Sequence, residues 1–260
     1  MDHWLKPHHG RGAYVTNPFD LTGRTILVTG ATGGLGRQTA ISISQMGATV
    51  VLIGRREERL KSVLAELTGE GHVSFVTDLA NRVARDELAA KSPPLDGIAH
   101  CAGKTLLQPF KFITEEQYEE IYQINVQAPM FLTQKLLKNK LIRPGASLVF
   151  VSSISPITGW KGHSIYAGSK AAIVAIARVL AHELAPSRIR ANTISPAMIK
   201  TEVVDGLSEQ MSAEYIATDA ARYPLGYGEP EDVANAIIFF LSDASKWITG
   251  SNLIMDGGLT

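Results

Sequence analysis

Residues 25–40, TILVTGATGGLGRQTA, carry the reading on which the fold turns. A short apolar run rich in β-favouring residues ends on Gly30, and two more glycines, Gly34 and Gly36, open a segment with helical spacing of its apolar residues. Glycines in this order let the chain turn sharply and bring its backbone close to a diphosphate. That diphosphate would sit on the N-terminus of a helix beginning near Leu35. The spacing is G-x-x-x-G-x-G, and no Gly-Lys-Ser/Thr ending follows, which argues against a nucleoside-triphosphatase loop.

Outward from this unit, six more apolar runs alternate with helical patterns: TVVLIG, VSFVTD, LDGIAH, SLVFVSS, IRANTIS and NLIMDGG. The segments between them, such as 36–46 and 57–67, repeat apolar residues at helical spacing. Strands with little internal alternation, each followed by a helix, predict a parallel sheet covered on both faces. The expected architecture is one doubly wound Rossmann-type α/β domain over residues 21–260 with a seven-stranded parallel sheet, preceded by a polar tail over residues 1–20. Ligands of such a sheet bind at the carboxyl ends of its strands.

Composition narrows the function. Twenty-five Lys and Arg balance twenty-five Asp and Glu, so no basic field points to nucleic acid or an anionic membrane. The one cysteine, Cys101, excludes an internal disulfide framework and suits a reducing cytoplasm. The first twenty residues contain no signal-type apolar core, and the most continuous apolar helix, 171–181, is expected to be too short to cross a membrane. His3, His8 and His9 lack a partner cluster, so no metal site is expected.

The stretch SIYAGSKAA, residues 164–172, places Tyr166 and Lys170 four apart on one helix face. An ammonium beside a phenol favours the phenolate, so Tyr166 is expected to exchange a proton near neutral pH. Ser153 with His163 or His182 could begin a hydrolase triad, but no G-x-S-x-G elbow surrounds the serine.

Taken in order, Thr29-Gly30 with Gly34 and Gly36, Asp78-Leu79, Ala102-Gly103, Asn125, Ser153, and Tyr166 with Lys170 resemble the short-chain dehydrogenase/reductase family. Ser153 stands thirteen residues before Tyr166, as that family's pattern requires, and SPAMIKT, residues 195–201, resembles its nicotinamide segment. Residues 223–258 are similar to the closing stretch of bacterial 3-oxoacyl-carrier-protein reductases. The resemblance implies a catalytic set in which Tyr166 is the acid/base, Lys170 and the oxidised nicotinamide lower its pKa, Lys170 also holds the cofactor ribose, Ser153 positions the substrate oxygen, and Asn125 holds a water that links Lys170 to solvent. It further implies cofactor contacts from Gly30, Gly34, Leu35, Gly36, Arg55, Arg56, Asp78, Leu79, Ala102, Gly103, Tyr166, Lys170, Pro196, Ile199 and Thr201, and assembly as a homotetramer.

NAD-using relatives carry an acidic residue at the end of the second strand, where this chain has Gly54 followed by Arg55 and Arg56. Guanidinium groups suit a 2′-phosphate, so NADP is expected rather than NAD. Gly33 departs from the basic residue common before the middle glycine of NADP-using relatives. Two more departures are visible: His100-Cys101 replaces an Asn-Asn pair, and Ala197 replaces a glycine. Cys101 lacks an activating base and reads as structural.

Residues 202–223 are expected to form a helical substrate lid, with Met198, Val203, Leu207, Met211, Tyr215 and Ile216 as pocket or core. Lys140, Arg143 and Arg188 could meet an acidic acyl carrier protein, or be ordinary solvated surface. The expected substrate is a 3-oxoacyl thioester, with a sugar or other small secondary alcohol as the alternative. A non-catalytic nucleotide-binding sensor is disfavoured by the intact set of four polar residues.

Overall fold

The computed structural model describes residues 17–201 and 213–260. Seven strands form one sheet: β1 (Thr25–Thr29), β2 (Thr49–Gly54), β3 (Val73–Val76), β4 (Leu95–His100), β5 (Ile142–Val151), β6 (Arg190–Pro196) and β7 (Asn252–Met255). They pair in parallel in the order β3-β2-β1-β4-β5-β6-β7. The order reverses between β1 and β4, which leaves a crevice where their following loops diverge.

The helices are α1 (Gly34–Gln45), α2 (Glu57–Glu66), α3 (Arg82–Lys91), α4 (Glu115–Tyr122), α5 (Ala128–Lys138), α6 (Ser155–Thr158), α7 (Ser164–Glu183), α8 (Ala213–Ala220) and α9 (Pro230–Leu241). A π-helical turn, Gln123–Gln127, joins α4 to α5 without a break. Side chains along β1 alternate between two cores. Ile26 and Val28 pack with Ala40 and Ile43 of α1 and with Val233 and Ile237 of α9. Leu27 packs on the other face with Leu132 of α5 and Ile173 and Ala177 of α7. Both faces are therefore buried, which is why the strands read as unbroken apolar runs.

Three expectations change. The β5 ladder begins at Ile142, before the apolar run, and absorbs a register irregularity against β4. Helix α7 runs twenty residues, not eleven, and by length and composition alone is long and apolar enough to cross a membrane. Its Ile165, Ser169, Ile173, Ala177 and Ala181 are nonetheless buried at helical spacing. The chain is also anchored before residue 21: the Pro18 carbonyl accepts from Ala244 N–H at 3.0 Å, and Phe19 lies 6.3 Å from Phe239 between ring centres. Most of the expected tail, and Val203, Leu207 and Met211 of the expected lid, lie outside the described residues, as do the side chains of Tyr215 and Ile216.

Candidate active site

The carboxyl ends of the strands open into a cleft of about 1180 Å³. Its floor is the glycine turn. Gly30 has φ +67, and a Cβ there would lie 2.9 Å from the Ala102 backbone. A Cβ on Gly36 would lie 2.3 Å from the Gly30 carbonyl oxygen, so α1 can start this close to β1 only with glycine. Gly33 caps α1 without a side-chain hydrogen bond, and its first turn holds no acidic residue. Those first N–H groups are thus left for an anion. Gly34, Leu35, Ala102 and Gly103 line the cleft beside Gly30, and Gly36 sits beneath it. Thr29 Oγ1 accepts from Ala102 N–H at 3.1 Å, tying the loop after β4 to the end of β1.

At one end stand Gly54, Arg55 and Arg56, both guanidinium-bearing residues exposed. The adjacent carboxylates, Glu57 and Glu58, pair with Lys61 on α2. Asp78 and Leu79 close this end, and their loop is clamped from below. Buried Arg85 donates to the carbonyls of Leu79 and Ala80 (the latter at 3.0 Å), and Gln123 donates to Ala80 at 3.0 Å. Arg85 and Gln123 escaped the sequence reading, because both contacts are made by side chains outside any recognised motif.

Across the cleft, Ser153, Tyr166 and Lys170 converge. Lys170 is buried, its Nζ donates to the Val151 carbonyl at 2.8 Å, and desolvation brings its pKa down to about 8. The sequence leads one to expect a lowered Tyr166. Burial pushes that phenol up instead, with the Ser153 hydroxyl pulling the other way. The reason is geometric: Lys170 Nζ stands 5.8 Å from the ring centre and spends a hydrogen bond on Val151.

Asn125 does not line the cleft. The π turn presents its side chain to the backbone of Lys104, accepting from N–H at 2.8 Å and donating to C=O at 2.9 Å, while Ser169 Oγ lies 3.0 Å from Nδ2. Gly103 fits between Lys170 and Asn125, since a Cβ there would meet Nζ at 3.2 Å and Oδ1 at 3.3 Å. Ser153 makes a further contact that the sequence did not suggest, to Ser155 at 3.0 Å between hydroxyl oxygens.

The departures have physical replacements. His100 is buried, stacks on Phe150 at 4.7 Å and bonds Thr133 Oγ1 at 2.9 Å through Nε2, so an aromatic tie takes the place of an amide. Cys101 is held as a thiol, with burial raising it to about 12. Pro196, Ala197, Met198, Ile199 and Thr201 form the facing wall, and Ala197 N–H donates to the Met255 carbonyl at 2.8 Å. Thr201 covers the glycine turn, its Cγ2 lying 3.5 Å from where a Cβ on Gly34 would stand. Lys140, Arg143 and Arg188 lie at the amino ends of β5 and β6, and Arg143 pairs with Asp96 at 2.6 Å. A ten-residue strand, about 30 Å, separates that edge from the cleft, so these residues do not adjoin the site.

The glycine cradle, the uncapped α1 N-terminus and the arginine-bearing end together fit a dinucleotide. A family model described as enoyl-(acyl carrier protein) reductase matches residues 30–260. The chain is 33% identical over 241 residues to a 3-oxoacyl-[acyl-carrier-protein] reductase of Rickettsia felis, covering 92% of this chain and 98% of that one. It is also 33% identical over 248 residues to an NAD-dependent glycerol dehydrogenase of Listeria innocua, covering 93% and 96%. A solved structure from Beutenbergia cavernae, described as a candidate NAD(P)-dependent gluconate 5-dehydrogenase with NADP bound at low occupancy, superposes with a TM-score of 0.84. Its identity is 29%, with 94% of this chain and 99% of that one covered. The chain belongs to the short-chain dehydrogenase/reductase family, whose members are oxidoreductases acting on CH–OH groups.

Proposed function

We propose that this protein is an NADP-dependent carbonyl reductase, working in reverse as an alcohol dehydrogenase, with Tyr166 as its acid/base. The observation that carries the reading is the convergence of Ser153, Tyr166 and Lys170 on one cleft with the glycine turn. The diphosphate would rest on the turn from Gly30 to Gly36, the adenine end against Asp78 and Leu79, and the nicotinamide end against Pro196, Ile199 and Thr201. Lys170 and Tyr166 would hold the adjoining ribose. The bound nicotinamide supplies or accepts the hydride.

The protein supplies the proton and the alignment. Burial keeps the Tyr166 phenol protonated at neutral pH, which suits it to donate to a carbonyl oxygen. Ser153 would hydrogen-bond the same oxygen and hold it in place. Lys170, with its pKa brought to about 8, can restore a proton near neutral pH. Asn125 fixes the loop at Lys104 on one side and Ser169 on the other, and so positions Lys170 from behind.

NADP is favoured because no carboxylate ends β2 and Arg55 and Arg56 stand at that end of the cleft. For the substrate, likeness to the Rickettsia enzyme favours a 3-oxoacyl thioester, an acyl carrier protein being the natural carrier. A keto-sugar is the second reading, favoured by polar groups at the substrate end: Asp219 accepts from Arg222 at 3.0 Å and from the Tyr227 hydroxyl at 2.8 Å. A cytoplasmic, homotetrameric enzyme completes the reading. NADPH consumption against acetoacetyl thioesters, simple ketones and ketoses tests it. Turnover of none, with or without NADH, would overturn the enzymatic reading.

A further inference from the structure

Behind Ser153 lies a hydrogen-bonded chain that the expected catalytic set does not include. Ser153 Oγ accepts from the Ser155 N–H at 3.1 Å and lies 3.0 Å from Ser155 Oγ. Ser155 Oγ in turn lies 3.4 Å from His163 Nδ1. Both serines are buried, and the imidazole is wedged edge-on between Trp160 and Tyr166, with ring centres 5.8 Å away on each side. Ser155 opens α6 and His163 stands immediately before α7, so the two elements that frame the reacting centre meet through this contact.

The polarity of such a chain matters. A hydroxyl has one proton and two lone pairs. One lone pair of Ser153 already takes the Ser155 N–H. If Ser155 O–H fills the second, the Ser153 proton is turned into the cleft, where it meets the Tyr166 phenol oxygen and, once bound, the substrate oxygen beside it. If the chain runs the other way, Ser153 gives its proton to Ser155 and can only accept, which is of no use to a carbonyl oxygen. The direction is set at the far end, by whether Nδ1 of the imidazole donates or accepts. Burial lowers the His163 pKa, so the ring is neutral at pH 7 and carries a single N–H.

We propose that His163 and Ser155 are positioning residues, with His163 carrying its proton on Nδ1 and donating to Ser155, which donates to Ser153 and so directs the Ser153 proton at the substrate oxygen. The proposal rests on Ser153 serving the substrate oxygen as argued above.

Two measurements test it. Proton-detected nitrogen spectra of ¹⁵N-histidine-labelled protein at pH 7.5, assigned by loss of the signal in His163→Asn, should report the Nδ1–H tautomer. The Nε2–H tautomer would overturn the proposal whether or not a substrate is known. With the carbonyl compound turned over fastest in the panel, Ser155→Ala and His163→Phe should each lower kcat on the order of 10-fold, the loss of about one neutral hydrogen bond, with NADPH affinity unchanged. Their double variant should lose no more than either alone, because one chain is cut twice. His163→Asn, whose amide N–H can occupy the Nδ1 position, should stay within about 3-fold of wild type. Losses that multiply in the double variant, or an asparagine as impaired as phenylalanine, would overturn the relay. Full activity in Ser153→Ala would instead overturn the underlying site.

Discussion

Lys170 holds its ammonium 5.8 Å from the centre of the Tyr166 ring while donating to the Val151 carbonyl at 2.8 Å. The two groups share one helix face but are not directly bonded, and each is shifted by burial toward its neutral form. Tyr166→Phe keeps the shape and removes the proton, so turnover should fall by roughly 10²- to 10⁴-fold with NADPH binding retained. Lys170→Ala should lose both. Reduction consumes the phenolic proton, so its kcat/KM should hold through neutral pH and decline above about 8 as Lys170 loses its charge. Oxidation should rise over the same range. Steady-state profiles in both directions check this, and wild-type turnover in Tyr166→Phe would refute the assignment.

The cofactor preference turns on Arg55. Charge-assisted hydrogen bonds to a 2′-phosphate are worth about 1.5 to 3 kcal/mol, so Arg55→Ala should weaken NADPH by roughly 10- to 150-fold and NADH far less. An acidic residue at 54 is the natural reversal, but a Cβ there would lie 2.5 Å from Thr32 Cγ2 and 3.2 Å from Leu60. Gly54→Asp alone should therefore destabilise the protein, and pairing it with Thr32→Ser should restore folding and raise NADH affinity. Calorimetric titration of both cofactors decides the matter, and equal weakening of both by Arg55→Ala would count against NADP.

His100 should make the protein acid-sensitive. Its pKa falls from 6.5 to about 3 on burial, so between these values the unfolded chain binds more protons than the folded one. Stability from this group is therefore intact above pH 6.5 and is lost as the pH falls toward 3. At pH 5 the loss should be about 2 kcal/mol. His100→Asn should respond less steeply to pH, whatever its stability at neutrality. Urea midpoints at pH 7.5 and 5.0 provide the comparison, with parallel losses in the two proteins as the contrary result.

Strand β7 pairs only with β6 among the described strands, and Leu253, Ile254 and the neighbouring Trp247 are exposed, Trp247 at 97%. An apolar edge of this kind invites pairing with another chain. A homotetramer should appear by light scattering, and Ile254→Lys should reduce it to smaller species. A monomer at micromolar concentration would refute this.

The sheet was legible because both faces of its central strands are buried, which writes them as apolar runs between helical patterns. The cradle was legible because Gly30 and Gly36 permit no other residue. Local patterns say little about contacts made across sequence distance. Arg85 reaches back to Leu79 and Ala80, and His163 reaches Ser155 only because α6 and α7 fold together. The direction of the Tyr166 shift in the protein alone is hidden from the sequence for a related reason. Helical spacing brings Lys170 to the same face, but it does not reveal that Val151 takes the ammonium's hydrogen bond or how deeply the phenol is buried.

The π turn at Gln123–Gln127 lets the α4–α5 rod carry one residue more than a regular helix of the same phase. A regular helix advances about 100° per residue, and the wider turn takes in the extra residue without rotating the flanks against each other. Deleting one residue here should let the rod close into regular α-helix with Glu120 still beside Lys104 on one side, and Thr133 beside His100 and Lys135 beside Asp86 on the other. Such a deletion takes away the bulge that turns Asn125 onto the backbone of Lys104. The rod keeps its phase with or without the bulge, and only the polar group it presents is lost.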